Sequence, residues 1–372
     1  MQHLFEVLKI VDGAVNADRK KVAAYAEQLA AKLEAEGDTR SASGIRRAIA
    51  NAKAPDLSAA RMVPPSLPVD SESRLKLADE RLFATDEVKV YLDTQTTDRI
   101  AEFVHQVSAS DVLLASGVGI APSLLMHGPP GCGKTELAKH VAAQLNLPLL
   151  TARSDSLISS YLGSTSKNLR NLFEHATSRP CVLFLDEFDA LAKLRDDQRE
   201  LGELKRVVVS LLQNIDALDN KTVLLAATNH EHLLDPAVWR RFAFKLQIGL
   251  PTADVRARMM TDFLGAQAPD LDIHLLAAAA DGMSGADLRH LCEDARRFAI
   301  LKANDHTAPV NSVDLLNRLV RAKVAAFETL DLRERLVATR ALSSKLFTVR
   351  RLADMFDIAT GRVSMLLRED VE

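Results

Sequence analysis

Between about residues 81 and 250 the chain alternates short, unbroken apolar runs with longer amphipathic stretches. SLLMHG, LPLLTA, CVLFLDE, TVLLAATN and FKLQIGL read as strands, whereas ELAKHVAAQL, KNLRNLFEHA and ELKRVVVSLLQNI read as helices. Strand and helix in alternation predict a parallel sheet covered by helices on both faces. After Pro251 the strand-like runs stop, and everything to the C-terminus reads as helix. Ahead of the alternation, Val22, Tyr25, Leu29 and Leu33 recur at three- and four-residue steps until Gly37, and TRSASGIRRAIANAK returns as a second helix. The stretch between carries Pro55, Pro64, Pro65 and Pro68 with no apolar period, the composition of a linker. The expected organisation is a helical N-terminal domain (1–52), a Pro-rich linker (53–80), an α/β domain (81–250), a helical domain (251–328) and a C-terminal segment (329–372).

That last segment has a pattern of its own. TVRRLADMFDIATGRVSMLL places Val349, Leu352 and Met355 before Asp357, then Val363 and Leu366 after it, which is helix-turn-helix spacing. Residues 328–372 hold eight basic and eight acidic side chains, a poor balance for contacting phosphates. A packing or partner-docking role is expected, with DNA binding as the alternative.

Composition narrows the rest. A formal net charge of −3 gives no bulk attraction to nucleic acid or to an acidic membrane. Cys132, Cys181 and Cys292 lie far apart with no CxxC pair, which argues against a disulfide framework or zinc site and for a reducing compartment. No apolar run approaches the roughly 20 residues that span a bilayer. The N-terminal MQHLFEVLKIVDGAV lacks a basic start and carries Glu6 and Asp12, unlike a signal peptide. A cytoplasmic protein with no membrane partner is expected.

The chemistry concentrates in HGPPGCGKTE. Gly128 to Thr135 fit G-x-x-x-x-G-K-[ST], following an apolar strand and opening a helix, the context that gives this pattern its meaning. Glycines let backbone N–H groups turn inward around phosphates. Gly128, Pro129, Pro130, Gly131, Cys132, Gly133, Lys134, Thr135 and Glu136 are therefore the expected nucleotide-binding run. Lys134 would supply charge to the β- and γ-phosphates, and Thr135 a hydroxyl ligand for Mg²⁺. Cys132 reads as a tolerated small residue. CVLFLDE ends in two acids, Asp186 suited to the Mg²⁺ shell and Glu187 to polarising an attacking water. Asn229, at the end of the next strand, could help place that water. DPAVWRRFAF sets Arg240 and Arg241 beside the only tryptophan, and such a pair could neutralise the γ-phosphate of a neighbouring subunit.

With these four elements in order, residues 100–300 resemble the AAA family of ring ATPases. GPPGCGKT and LFLDEFDA resemble its Walker A and B signatures, AATN its sensor-one asparagine, and LDPAVWRRF its arginine-finger region. DGMSGADLRHLCEDA resembles its lid signature, where Gly285 and Ala286 would line the nucleotide pocket. The usual sensor-two arginine is absent, a feature of the family's protein-remodelling members. The spacer between the two arginines is also missing, and Arg241 is the closer match. The resemblance implies ATP and Mg²⁺, a hexameric homo-oligomer, a P-loop α/β domain of the AAA+ type, a helical lid and a protein substrate. The arrangement is also similar to bacterial ATPases paired with a subtilisin-like protease in plasmid-stability and phage-defence systems.

One scarce aromatic is left. Tyr161, in SSYLGSTSKN, stands in a polar, loop-like stretch where ring ATPases of this family carry an aromatic–hydrophobic–glycine loop facing the pore. Tyr161, Leu162 and Gly163 fit that triplet, and such a ring could hold an extended polypeptide by apolar contact. The other reading folds the tyrosine onto its own domain.

Overall fold

The computed structural model describes residues 19–35, 38, 41–46, 67–70, 74–119, 121–157, 162–192, 201–219 and 221–368. The chain divides into two compact units, 1–63 and 64–372. In the first, helix α1 (Arg19–Ala35) is followed by a helical stretch at 41–46. Ala30 and Ala42 are buried, and Arg46 binds Glu27 at 2.9 Å and Glu34 at 2.8 Å. These exposed ion pairs add little to stability.

The second unit is built on a six-stranded sheet. In chain order its α/β part runs β1 (Ala78–Arg81), α2 (Thr94–Ser108), β2 (Ser123–His127), α3 (Lys134–Gln144), β3 (Leu149–Ala152), α4 (Leu162–Thr177), β4 (Cys181–Leu185), α5 (Leu201–Asp216), β5 (Thr222–Thr228) and β6 (Phe244–Gln247). Every residue of β4 and β5 is buried, so side chains on both faces are covered, as a parallel sheet between helical layers requires. The strand order is β1-β3-β4-β5-β2-β6. β3 to β6 and β2 run parallel, and β1 alone is antiparallel, pairing with β3 in the register Ala78 to Ala152. That edge strand departs from an all-parallel expectation. Its sequence, ADER, has no apolar run to announce it, and an ion pair between Glu80 and Arg179 helps hold it in place. β2 lies between β5 and β6, one strand in from the sheet edge, and the loop leaving its C-terminal end opens where ligands bind in such sheets.

From residue 253 the unit is helical: α6 (Ala253–Leu264), α7 (Ile273–Ala279), α8 (Gly285–Ala303), α9 (Ser312–Lys323), α10 (Leu332–Leu342), α11 (Val349–Phe356) and α12 (Thr360–Leu366). α8 starts on a reciprocal cap, Ser284 accepting from the Asp287 N–H while Asp287 accepts from the Ser284 N–H. α11 and α12 are joined through Asp357, whose φ of 52° is left-handed. A short polar side chain tolerates that conformation, which explains a turn without glycine.

One hydrophobic core runs from Val255 through Leu316 and Leu319 to Leu336, Leu346, Phe347, Leu352 and Val363. The last five come from the C-terminal segment, and burying a side chain of this kind contributes about 1.5–3 kcal/mol. A chain ending at residue 328 should therefore lose cooperative melting of its helical part. An unchanged thermal melt would show instead that α10–α12 form a separable module. No helix among the described residues is long and apolar enough to cross a membrane.

Candidate nucleotide site

β2 delivers the chain to Gly128, whose φ is 141°. A Cβ there would lie 2.1 Å from the Ile248 carbonyl oxygen, so only glycine fits. At Gly131 (φ 74°) a Cβ would meet Ser284 Oγ at 2.7 Å and Ala286 Cβ at 3.0 Å. The start of α8 thus sits directly on the loop, and the Ala286 N–H donates to the Gly131 carbonyl at 3.0 Å. Gly285 allows the same approach, with Met259 Cε 3.0 Å from where its Cβ would be. The structure brings Gly131, Gly285 and Ala286 together.

Gly133 (φ 92°) ends the loop as the N-cap of α3. Lys134 follows, only 7% exposed, and its ammonium donates to the carbonyls of Gly128 at 2.7 Å and Pro129 at 2.8 Å. Burial lowers its pKa, while Cys132, Asp186, Glu231 and Asp189 act in the opposite direction. A buried ammonium held by neutral carbonyls gains from an anion at a helix N-terminus. Cys132 is half-buried, and burial raises its thiol pKa. Glu136 lies in the first turn of α3 and pairs with Lys139 at 2.7 Å.

The Thr135 hydroxyl donates to Asp186 Oδ2 at 2.8 Å, while Asp186 Oδ1 accepts from the Glu187 N–H at 2.9 Å. An adjacent hydroxyl and carboxylate are a fitting donor set for a hard divalent cation. Glu187 has a φ of 49° and is exposed; the Ser154 hydroxyl, just after β3, donates to its Oε2 at 3.3 Å. Behind it Phe188 is fully buried, donates its N–H to the Ala227 carbonyl at 2.8 Å and packs edge-on against Phe242. Thr228 Oγ1 donates to Asp189 at 2.7 Å. The ends of β4 and β5 are thereby tied together, with Asn229 immediately after the tie and half-buried.

Arg240 and Arg241 follow a short helix, Pro236–Trp239, capped by Asp235. Arg241 grips Asp216 at the end of α5 through two bonds, Nε to Oδ1 at 2.7 Å and Nη2 to Oδ2 at 3.0 Å. Arg240 is exposed, and among the described residues nothing pairs with its guanidinium. Among those residues no bond joins either arginine to Lys134, Thr135, Asp186 or Glu187. Tyr161 lies outside the described residues, and Leu162 and Gly163 begin α4.

Ser154, Asp189, Asp216 and Thr228 escaped sequence reasoning. Asp216 alone left a signal: an acid at a helix C-terminus opposes the helix dipole and needs a reason. The Arg241 fork is that reason.

Comparison with known proteins agrees with this geometry. Residues 124–250 match the family described as "ATPase family associated with various cellular activities (AAA)", and residues 270–316 match the AAA+ lid domain. Residues 124–250 and 270–316 therefore form an AAA domain followed by its lid. It is 43% identical over 199 residues to an uncharacterized AAA family ATPase of Sinorhizobium fredii, covering 54% of this chain and 60% of that protein. It is 34% identical over 214 residues to the proteasome-activating nucleotidase of Methanothermobacter thermautotrophicus, covering 55% and 52%. Against the ATP-dependent zinc metalloprotease FtsH 3 of Sphaerobacter thermophilus the identity is 30% over 250 residues, covering 65% and 51%. The chain thus spans half to three-fifths of the length of these relatives.

Proposed function

We propose that this chain hydrolyses ATP as a homo-oligomeric ring, a hexamer, and uses the cycle to remodel or thread protein substrates. The observation that carries the proposal is the joined set of Lys134 in its glycine cradle, Thr135 bonded to Asp186, and Glu187 beside them. The glycine-rich loop and Lys134 would bind the phosphates of ATP. Thr135 and Asp186 would hold Mg²⁺, which supplies neutralising charge to the phosphate oxygens. Glu187 would take a proton from water that Asn229 helps to place. Of the two arginines, Arg241 is already committed to Asp216, so Arg240 is the one that reaches a neighbouring subunit. The pattern match alone favours Arg241, and the fork to Asp216 reverses that preference.

Two relatives named for proteasome activation and ATP-dependent proteolysis support a protein substrate. A partner protease of the subtilisin-like kind, acting in the cytoplasm and in phage defence, extends this reading on the sequence resemblance alone. The DNA-associated alternative draws on α11 and α12. The balanced charge of residues 328–372 and the burial of Val363 and Leu352 in the shared core support packing instead.

The experiment is ATPase activity with an unfolded protein and, separately, with duplex DNA, for the native chain and for Tyr161→Ala. Unfolded protein should stimulate turnover of the native ring. Tyr161→Ala should lose that stimulation, with a thermal melt changed by no more than about 0.5 kcal/mol, as for a surface substitution. A collapsed melt would place Tyr161 in the core, and stimulation by DNA alone would favour the regulator.

A further inference from the structure

His127, Glu231 and Trp239 form a cluster that the nucleotide chemistry above does not use, yet it adjoins three parts of that chemistry. His127 is the last residue of β2, one step before Gly128. Its side chain is 14% exposed, and its Nδ1 is buried with no hydrogen bond, 3.6 Å from Glu231 Oε1. Glu231 stands two residues after Asn229, and its carboxylate is among those that act on the Lys134 ammonium. The His127 ring meets Trp239 edge to face, with centroids 5.3 Å apart and planes at 65°. Trp239 ends the short helix immediately before Arg240. On the other side, Lys245 Nζ lies 5.8 Å from the Trp239 ring centroid and donates to the Phe242 carbonyl at 2.7 Å.

We propose that His127 is a positioning residue: through its contact with Trp239 it sets Arg240 according to whether the chain's own phosphate loop is occupied. This rests on the reading that Arg240 acts on a neighbouring subunit. Each link is a direct one. The Lys134 ammonium holds the Gly128 and Pro129 carbonyls at 2.7 and 2.8 Å, so an anion that takes the ammonium releases them. Gly128 has no slack towards Ile248, since its missing Cβ would fall 2.1 Å from that carbonyl. A change in the loop is therefore passed to the residue bonded to it, His127. Packed rings transmit such shifts because close-packed interiors do not absorb them. Trp239 is covalently joined to Arg240, whose backbone N–H donates to the Pro236 carbonyl at 3.2 Å and whose guanidinium pairs with no group among the described residues. His127 acts through Trp239 and touches no reacting atom.

The chain has a single tryptophan, so its intrinsic emission reports this contact directly. The experiment titrates the full-length protein with the non-hydrolysable β,γ-imido analogue of ATP and Mg²⁺, following Trp239 emission, with affinity measured separately by calorimetry. Native emission should change in step with binding. In His127→Ala the analogue should bind with similar affinity but leave the emission unchanged. Turnover in that variant should fall about threefold to thirtyfold at similar KM, the range carried by packed coupling networks. His127→Phe keeps a ring against Trp239 and should recover most of the turnover. Native emission that ignores the analogue overturns the proposal without any variant. So does a His127→Ala protein with the full emission response, or one whose affinity, melt and turnover decline together. If Arg240→Ala turns over normally, the reading of Arg240 fails, while an emission response that depends on His127 still shows that occupancy reaches Trp239.

Discussion

Glu187→Gln should still bind ATP but turn it over roughly 10²–10⁴-fold more slowly, the usual loss when a general base is removed. The geometry separates the two acids at the end of β4. Asp186 has both oxygens engaged, one by the Thr135 hydroxyl and one by the Glu187 N–H. Glu187 is exposed, and among the described residues its one side-chain partner is the Ser154 hydroxyl at 3.3 Å. The backbone, at a φ of 49°, carries it out of the strand's direction, a conformation that costs energy and commonly marks a functional position. Glutamine keeps the size and an oxygen for Ser154 to bond, and removes only the basicity. Lys134→Ala should show the opposite pattern, because removing the buried ammonium strips the phosphate site of its charge. Steady-state ATPase rates beside equilibrium binding for both variants test the division. Turnover of Glu187→Gln within a few-fold of the native rate would mean that another group activates the water.

How much of this was legible in the sequence depended on whether a feature was local. β2, β4 and β5 were readable because each is buried on both faces and so spells an unbroken apolar run. The glycine loop was readable because strand, glycines, lysine and helix follow one another within one stretch. β1 was not, since ADER owes its strand conformation to pairing with β3 and not to its own composition. The contact of Gly131 with Ser284 and Ala286 joins residues about 150 positions apart, and no local pattern records it. The stretch DGMSGADLRHLCEDA suggested the lid residues, but nothing local in it records their seating on the phosphate loop. The C-terminal helices showed the same limit. Their spacing suggested a module with its own boundary, whereas Leu336, Phe347 and Val363 lie in the core that also holds Leu316 and Leu319. The adjacent arginines were visible, but their different environments were not, because Asp216 lies at the far end of another helix.

That difference in environment yields the second large effect. Arg240→Ala should bind ATP normally and hydrolyse it roughly 10³-fold more slowly, at the low end of what an arginine finger contributes. Arg241→Ala should be the milder change. Its guanidinium is spent in the fork to Asp216, which raises its pKa further and would have to be broken before the side chain could reach another subunit. A two-bond arginine–carboxylate fork fixes orientation as well as charge, so Arg241 is better suited to bracing the end of α5 against the short helix 236–239. Action between subunits has its own test. Arg240→Ala has an intact phosphate loop and lacks the reaching arginine, whereas Lys134→Ala has the arginine and lacks the loop lysine. Mixed in one ring, the two inactive variants should regain part of the native turnover, because some interfaces then pair an intact site with an intact arginine. Rings shown to contain both variants and still inactive would rule out action in trans. If Arg241→Ala proves the deeper loss, the fork is a resting position that opens at the interface, and Arg241 is the arginine that reaches across.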